Sequence, residues 1–498
     1  MKLKAVRLSI GTGDAPIAVL NSLDASKMDF HDGDRIVVRK GKNEVVAIVD
    51  ISENKRLVPP GRIALFDEAA SALKCANGDL LEVELEGKPT SVVFIRKKMD
   101  GKELTEQEIG QIVRDITDKK LSESEISYFI AACYMRPTTL NETIALTKAM
   151  VETGDTIKFE PPVFDLHCIG GVAGNRTTPI VVPIVAEAGL TIPKTSSRAI
   201  TSPAGTADTI EVIANVSFGV EDIKRIVQKT GACMVWGGAV SLAPADDTVI
   251  KLEYPLGIDS QSQMLASIIA KKKSVSATHV LIDIPVGKGA KVNNILEARR
   301  LGGMFVKIGK ALGIKFEVML SDGSQPIGNG IGALLEMRDI LRVLAKKPNA
   351  PADLREKSLR MAGLMLEMGG KAKRGKGYAL AKEILDSGRA MKKFTEIIEA
   401  QGGSVPDESE LKPGKFSYTF TAYNSGRIVH IDSQKIAQVC RAAGTPKDKA
   451  AGMYLYTHVD GQVNVGEPIL TLYSSNRDRL EAAVALLKNI GSDLVVIK

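Results

Sequence analysis

"VFDLHCIGGVAGNRTTPIVVPIVAEAGL" (residues 163–190) passes from a short apolar run through a glycine-rich loop into a longer apolar stretch. That order reads as strand, loop and helix. It returns in "THVLIDIPV" followed by "GKGAKVNNILEARRLGG" (278–303), and in "KFEVML" followed by "SDGSQPIGNGIGALLEM" (315–337). Repeated alternation of this kind predicts an α/β domain, a central mixed sheet covered by helices, with ligands at the strand ends where the loops collect. Gly170, Gly171 and Gly174 let the first loop turn with its amides exposed, Thr178 is a candidate helix cap, and Pro179 suits the first helical turn. No GKS or GKT follows, and no GxGxxG is present, so neither a Walker A loop nor a dinucleotide fingerprint is at hand.

Outward from this domain the pattern changes on both sides. Residues 1–86 hold "DRIVVRK", "EVVAIVDI", "GRIALF" and "DLLEVELEG" between Gly, Asp and Pro turns, which predicts a small β-rich domain of barrel type with a structural or assembly role. Residues 87–160 take a helical period, with capping-box pairs at Thr105/Glu108, Ser122/Glu125 and Thr139/Glu142 and an apolar stripe through Leu140, Ile144 and Val151. This helical domain is expected to be completed by about residues 245–275. The α/β domain then spans 161–410. After the linker "AQGGSVPDESELKPGK", residues 411–498 form a C-terminal α+β domain.

Composition supports a multidomain globular protein: 498 residues, 44% hydrophobic and 25% charged, with a net charge of +7. The modest positive charge suits a small anionic substrate, and aromatics at 4% argue against a base-stacking platform, so nucleic acid is not an expected partner. Cys75, Cys133, Cys168, Cys233 and Cys440 are scattered without a CxxC pair, which argues against structural zinc and a disulfide framework. No signal-peptide core or membrane-length apolar run is present, and a cytoplasmic enzyme is expected.

A second anion loop is "SSRAITSPAGTADTIEV" (196–212), where hydroxyls, a guanidinium and backbone amides precede a helix start. An ordinary capped Ser/Thr-rich turn is the alternative.

Together the two loops resemble a known family, the thymidine and pyrimidine-nucleoside phosphorylases. "DLHCIGG" resembles their "DKHSTGG" segment, and Ser197, Arg198, Gly205, Thr206, Asp208 and Glu211 fit their signature. "SDGSQPIGNGIG", "SGRAMKKFTEIIEAQGG" and "GEPILTLYS" extend the likeness over about residues 100–498. The departures are specific. Leu166 and Cys168 flank His167 where nucleoside-cleaving members carry Lys and Ser. "YPLGIDSQSQMLASIIAKKK" lacks the pyrimidine-gripping arginine, and "VGKGAK" brings Lys288 and Lys291 where relatives read like "VGSGAF". With the additional N-terminal domain, these point to the nucleoside 5′-monophosphate branch.

The resemblance implies reversible phosphorolysis of a nucleoside 5′-monophosphate, AMP first and CMP and UMP beside it, in nucleotide degradation and salvage. Inorganic phosphate is the co-substrate, and no cofactor or metal is implied. Gly171, the run Ser197, Arg198, Ala199, Ile200, Thr201 and Ser202, and Thr206 are expected to cradle phosphate and ribose. Arg198 has the alternative of an ion pair with Asp208 or Glu211. Asp259 is the expected general acid, with a helix cap as its other reading and His167 as the rival acid. Ser267 is expected at the base. Lys291, placed directly before a helix start at "VNN", or Lys288, is expected at the 5′-phosphate. A homodimer through the helical domain, or a larger assembly, is implied. Competing readings are a plain nucleoside phosphorylase, an anthranilate-type phosphoribosyltransferase and a non-catalytic scaffold.

Overall fold

The computed structural model describes residues 1–498 apart from Asp14, Ala15, Ile200, Thr201, Tyr254, Leu256 and Asp259. The chain divides into two compact units, Met1–Ala149 with Thr248–Ser262, and Met150–Asp247 with Gln263–Lys498.

The first unit begins with six strands: β1 (Lys2–Arg7), β2 (Ile17–Asn21), β3 (Arg35–Lys40), β4 (Asn43–Ser52), β5 (Arg62–Leu65) and β6 (Leu80–Leu85). They close into a barrel in the order β1-β5-β2-β4-β3-β6. Alternation drives the closure: Ile36 and Val38 on β3, Ala47 and Val49 on β4, and Leu81 and Val83 on β6 point inward and are fully buried. Short helices α1 (Ser22–Met28) and α2 (Asp67–Ala72) join the strands.

Helices α3 (Ser91–Met99), α4 (Glu106–Thr117), α5 (Glu123–Met135) and α6 (Leu140–Glu152) follow. The three expected capping boxes form: Thr105 with Glu108, Ser122 with Glu125 and Thr139 with Glu142 each exchange side-chain and backbone hydrogen bonds. The α6 stripe is displaced from its expected position. Leu140 is exposed and Ile144 and Val151 are half-buried, while Ala145, Leu146, Ala149 and Met150 face the core. The reason is Glu142, whose buried carboxylate bonds Lys98 at 2.8 Å and so turns that side of the helix inward.

The second unit holds β7 (Phe164–Cys168), α7 (Thr178–Glu187), β8 (Ile192–Ser196), α8 (Thr206–Ile210), α9 (Val220–Thr230), β9 (Ala232–Trp236), then α10 (Pro244–Glu253) and α11 (Gln261–Ser274), both of which begin or end across the division. There follow β10 (His279–Val286), α12 (Ile295–Leu312), β11 (Lys315–Asp322), β12 (Gly330–Ile331) and helices α13 (Ala333–Leu344), α14 (Ala352–Met368), α15 (Gly377–Asp386) and α16 (Arg389–Ala400). Strands β11-β10-β7 pair in parallel, as do β8-β9, and a parallel bridge from Val163 to Thr191 links the two groups. Antiparallel pairing enters through β12, which joins the strand Gly452–Leu455 of the C-terminal region.

Helix α7 is apolar all round, with Ile180, Val181, Val182, Ile184 and Val185 fully buried, as suits a helix packed on several sides. Its Pro179 lies in the first turn as expected, but the cap position belongs to Thr177, not Thr178, and no side chain caps it. The chain closes with β13 (Phe416–Thr421), β14 (Gly426–Ile431), α17 (Ser433–Ala443), β15 (Gly452–Leu455), β16 (Gln462–Val463), β17 (Pro468–Ser474), α18 (Arg477–Leu494) and β18 (Val495–Ile497). No described helix is long and apolar enough to cross a membrane.

Candidate active site

Parallel strands put the loops after β7, β8, β9, β10 and β11 at the same edge of the sheet, and three of those loops are locked together by glycines. A Cβ on Gly171 would lie 2.5 Å from the Lys291 amide nitrogen, and one on Gly174 would lie 2.3 Å from the Ile327 carbonyl oxygen. Both glycines have positive φ, +91° and +69°. The first anion loop is thereby seated between the Lys288–Lys291 loop and the Gln325–Gly330 loop. Lys291 is exposed and four residues ahead of α12, not directly at a helix start, because Val292 first bridges to Val286 and Asn294 supplies the cap through Glu297.

Beneath this loop lies a charged layer that the sequence reading missed. Asp165 on β7, fully buried, meets Lys194 of β8 at 3.3 Å and Lys272 of α11 at 2.8 Å. Two lysines on one carboxylate leave excess positive charge in a buried place. Burial and the neighbouring Lys272 draw Lys194 down to about 7 against the pull of Asp165. His167, next but one on β7, is held well below its ordinary value by burial and then by Lys272, Lys194, Lys271 and Lys291. It is therefore a neutral imidazole at pH 7, suited to hydrogen bonding rather than to holding a proton for donation. A charged residue in each of three separate apolar stretches, "FDLH", "IPKTS" and "IIAKKK", was the available signal.

Cys168 occupies the start of the same loop as a thiol. Burial pushes it up to about 12, with Asp283 adding to the effect. Asn175 donates to its sulfur at 3.1 Å, and Asp283 is held by Lys357 at 2.7 Å and by the Ser321 hydroxyl at 2.6 Å. Such a group shapes the loop and is not a nucleophile.

The second anion loop is drawn closed by Asp208. One of its carboxylate oxygens accepts the Ala199 amide at 2.7 Å and the Gly205 amide at 2.8 Å. Ala199 thus spends its N–H inside the protein. Lys449 binds the other oxygen of Asp208 at 2.7 Å and Glu211 at 3.0 Å. Arg198 pairs with Glu211 at 2.5 Å, not with Asp208, and stacks over Trp236 with 4.6 Å from guanidinium carbon to ring centroid. Thr206 opens α8, a helix of only five residues, and its hydroxyl accepts from Arg176 at 3.3 Å. Arg176 also binds Glu336 at 2.6 Å and the Ala204 carbonyl at 2.7 Å, tying the first loop to the second. The Ser202 hydroxyl donates to the Ala204 carbonyl at 3.0 Å. Ile200, Thr201 and Asp259 lie outside the described residues.

On α11, Ser267 donates to Asp246 at 2.7 Å, and Lys271 binds the same carboxylate at 2.7 Å. Burial opposes the Lys271 charge, yet Asp246 and Asp247 raise it above its ordinary value. One turn of α11 therefore carries Ser267 and Lys271 on Asp246, while Lys272 reaches Asp165 under His167. Among the described residues no group of His, Cys, Asp and Glu is arranged to hold a metal ion. The arrangement gathers donors and cations from three loops and one helix, with Lys194, Arg198, Lys271, Lys272 and Lys449 each held by a carboxylate.

Comparison with known proteins agrees with this chemistry. The chain matches models of the glycosyl transferase family helical bundle domain (residues 92–154), the glycosyl transferase family a/b domain (160–391) and the pyrimidine nucleoside phosphorylase C-terminal domain (428–491). Curated relatives include AMP phosphorylases from Thermococcus kodakarensis, 46% identical over 98% of this chain and 96% of the relative, and from Pyrococcus furiosus, 45% identical over 98% and 97%. Another, from Methanococcoides burtonii, is 43% identical over 98% and 96%. Among solved structures, anthranilate phosphoribosyltransferase from Thermus thermophilus superposes with a TM-score of 0.52 at 17% identity, over 62% of this chain and 99% of that one, a likeness of fold alone.

Proposed function

The chain belongs to the AMP phosphorylase family, and from that membership we propose that it catalyses the reversible phosphorolysis of AMP. Inorganic phosphate attacks C1′, the C1′–N glycosidic bond breaks, and the products are free adenine and ribose 1,5-bisphosphate. CMP and UMP are further substrates in this reading. The enzyme is a pentosyltransferase that needs no cofactor beyond the phosphate it consumes, and it works as a cytoplasmic homodimer or larger homo-oligomer.

One observation carries the reading: the loop after β7 is tied on one side to the Lys291 backbone through Gly171 and on the other to Thr206 through Arg176, which supports two anion loops acting together. A reaction between two phosphorylated or phosphate species needs two anion sites in reach of one sugar. Gly171, Ser197, Arg198, Ser202 and Thr206 serve phosphate and ribose, together with Ile200 and Thr201 in the same turn, while Ala199 keeps its amide on Asp208 and shapes the turn. Lys291 takes the 5′-phosphate, Ser267 faces the base, and Asp259 protonates the leaving purine as the bond lengthens. A neutral His167 supports Asp259 over His167 as the acid.

The test is phosphate-dependent release of adenine from AMP without added magnesium, with ribose 1,5-bisphosphate identified by mass. A strong preference for AMP over adenosine is expected. Equal turnover of adenosine or thymidine would instead make it a plain nucleoside phosphorylase.

A further inference from the structure

Glu211 is the meeting point of two cations. Its Oε1 holds Arg198 at 2.5 Å and its Oε2 holds Lys449 at 3.0 Å. Lys449 comes from the loop before β15, where its carbonyl accepts the Leu334 amide at 3.1 Å, and it also binds Asp208 at 2.7 Å. Asp208 and Glu211 lie one helical turn apart, so two like charges share one face. Asp208 is buried and is committed to the Ala199 and Gly205 amides. The Arg198 Nε is buried with no hydrogen-bond partner among the described residues, although its guanidinium is ordered on Trp236. A buried donor without an acceptor is costly, and it marks a side chain that lacks one of its partners.

We infer that Lys449 is a positioning residue that makes Arg198 available to a phosphoryl oxyanion by serving as the second partner of Glu211. Each carboxylate keeps a cation in both states. With the site empty, Arg198 and Lys449 neutralise Asp208 and Glu211. When the oxyanion arrives and Arg198 turns its fork to it, Glu211 keeps Lys449, and no carboxylate is left unpaired. Without Lys449, Glu211 would have Arg198 as its remaining cation, and the arginine would be held back. The oxyanion is inorganic phosphate or the 5′-phosphate of the nucleotide. This inference rests on the reading of Arg198 as a substrate ligand.

The experiment is a double-mutant cycle read as KM for phosphate and KM for AMP separately, with kcat and melting temperature alongside. Lys449→Met is expected to raise KM for the oxyanion that Arg198 takes by about tenfold with kcat changed far less. Glu211→Gln in the same chain should return that KM toward wild type, and Lys449→Arg should retain it. A KM unmoved by Lys449→Met, or a raised KM that Glu211→Gln leaves in place, overturns the inference and makes Lys449 a brace for Asp208. Should Lys449→Met not fold, Glu211→Gln alone decides: a lower KM for the oxyanion supports the inference, and an unchanged or higher one overturns it. A wild type that releases no base from AMP would refute the proposed reaction. The inference would then be read from the thermal shift produced by inorganic phosphate or AMP in wild type and Lys449→Met, where equal shifts overturn it.

Discussion

In the proposed reaction Asp259 is assigned the chemistry and Lys291 the selectivity, and the two should fail differently. Asp259→Asn is expected to lower kcat by about 10²–10⁴-fold while AMP still binds, since loss of a general acid removes a transition-state interaction. Stopped turnover assays with isothermal titration of AMP check both halves. Near wild-type kcat would remove Asp259 from the mechanism. Lys291→Ala should cost AMP about ten- to hundredfold in kcat/KM, the worth of one charge-assisted contact, and leave the weak adenosine reaction nearly unchanged. Competing the two substrates in one assay measures the change in preference directly. The sequence marks both positions by a neighbouring glycine or helix start; Asp259 lies outside the described residues, and Lys291 stands four residues ahead of α12. Arg198 was legible in both its readings, and its ion pair with Glu211 is the one the structure contains.

At the level of elements, the close seating of the loop after β7 on the loop after β10 makes a sharp expectation. Gly171→Ala must relieve a contact of 2.5 Å with the Lys291 backbone and adopt a φ of +91°. Activity should fall by more than tenfold with Lys291 itself intact, because a shift of about 1 Å at a reacting centre costs about 10²-fold. Gly303→Ala, on α12 with open space at its Cβ, is the matched control. Strand β7 also sets a pH dependence. An unfolded chain protonates His167 below about pH 6.5, whereas the native chain does not, so the unfolded state binds more protons there. Native stability is therefore lost as pH falls below that value, by at most about 1.4 kcal/mol per pH unit from this group. The melting temperature of His167→Gln should fall less steeply than that of wild type between pH 7 and 5. Local devices such as the three capping boxes were readable because both partners lie three residues apart. The start of α12 was not, since the bridge from Val292 to Val286 delays it.

Across the whole molecule, what escaped the sequence was whatever depends on distant partners. Asp165, Lys194 and Lys272 meet from two strands and a helix, and Lys449 reaches Asp208 across 241 positions. No periodicity or spacing encodes such meetings, while the alternation of strands, glycine loops and helices that positions the loops was plain throughout. The five free cysteines have a further consequence. Cys75 lies in the barrel, Cys133 on α5, Cys168 on β7, Cys233 on β9 and Cys440 on α17. Burial raises every one of these thiols, Cys133 and Cys168 to about 12. Since only a thiolate alkylates, the native protein should resist iodoacetamide at pH 8 and tolerate air without reductant. Each thiol then becomes a clock for the opening of its own region. Pulsed alkylation in rising urea, read peptide by peptide in a mass spectrometer, should date the loosening of barrel, bundle, sheet and C-terminal region separately. Labelling of Cys133 and Cys440 in plain buffer at the rate of a free thiol would be the contrary result.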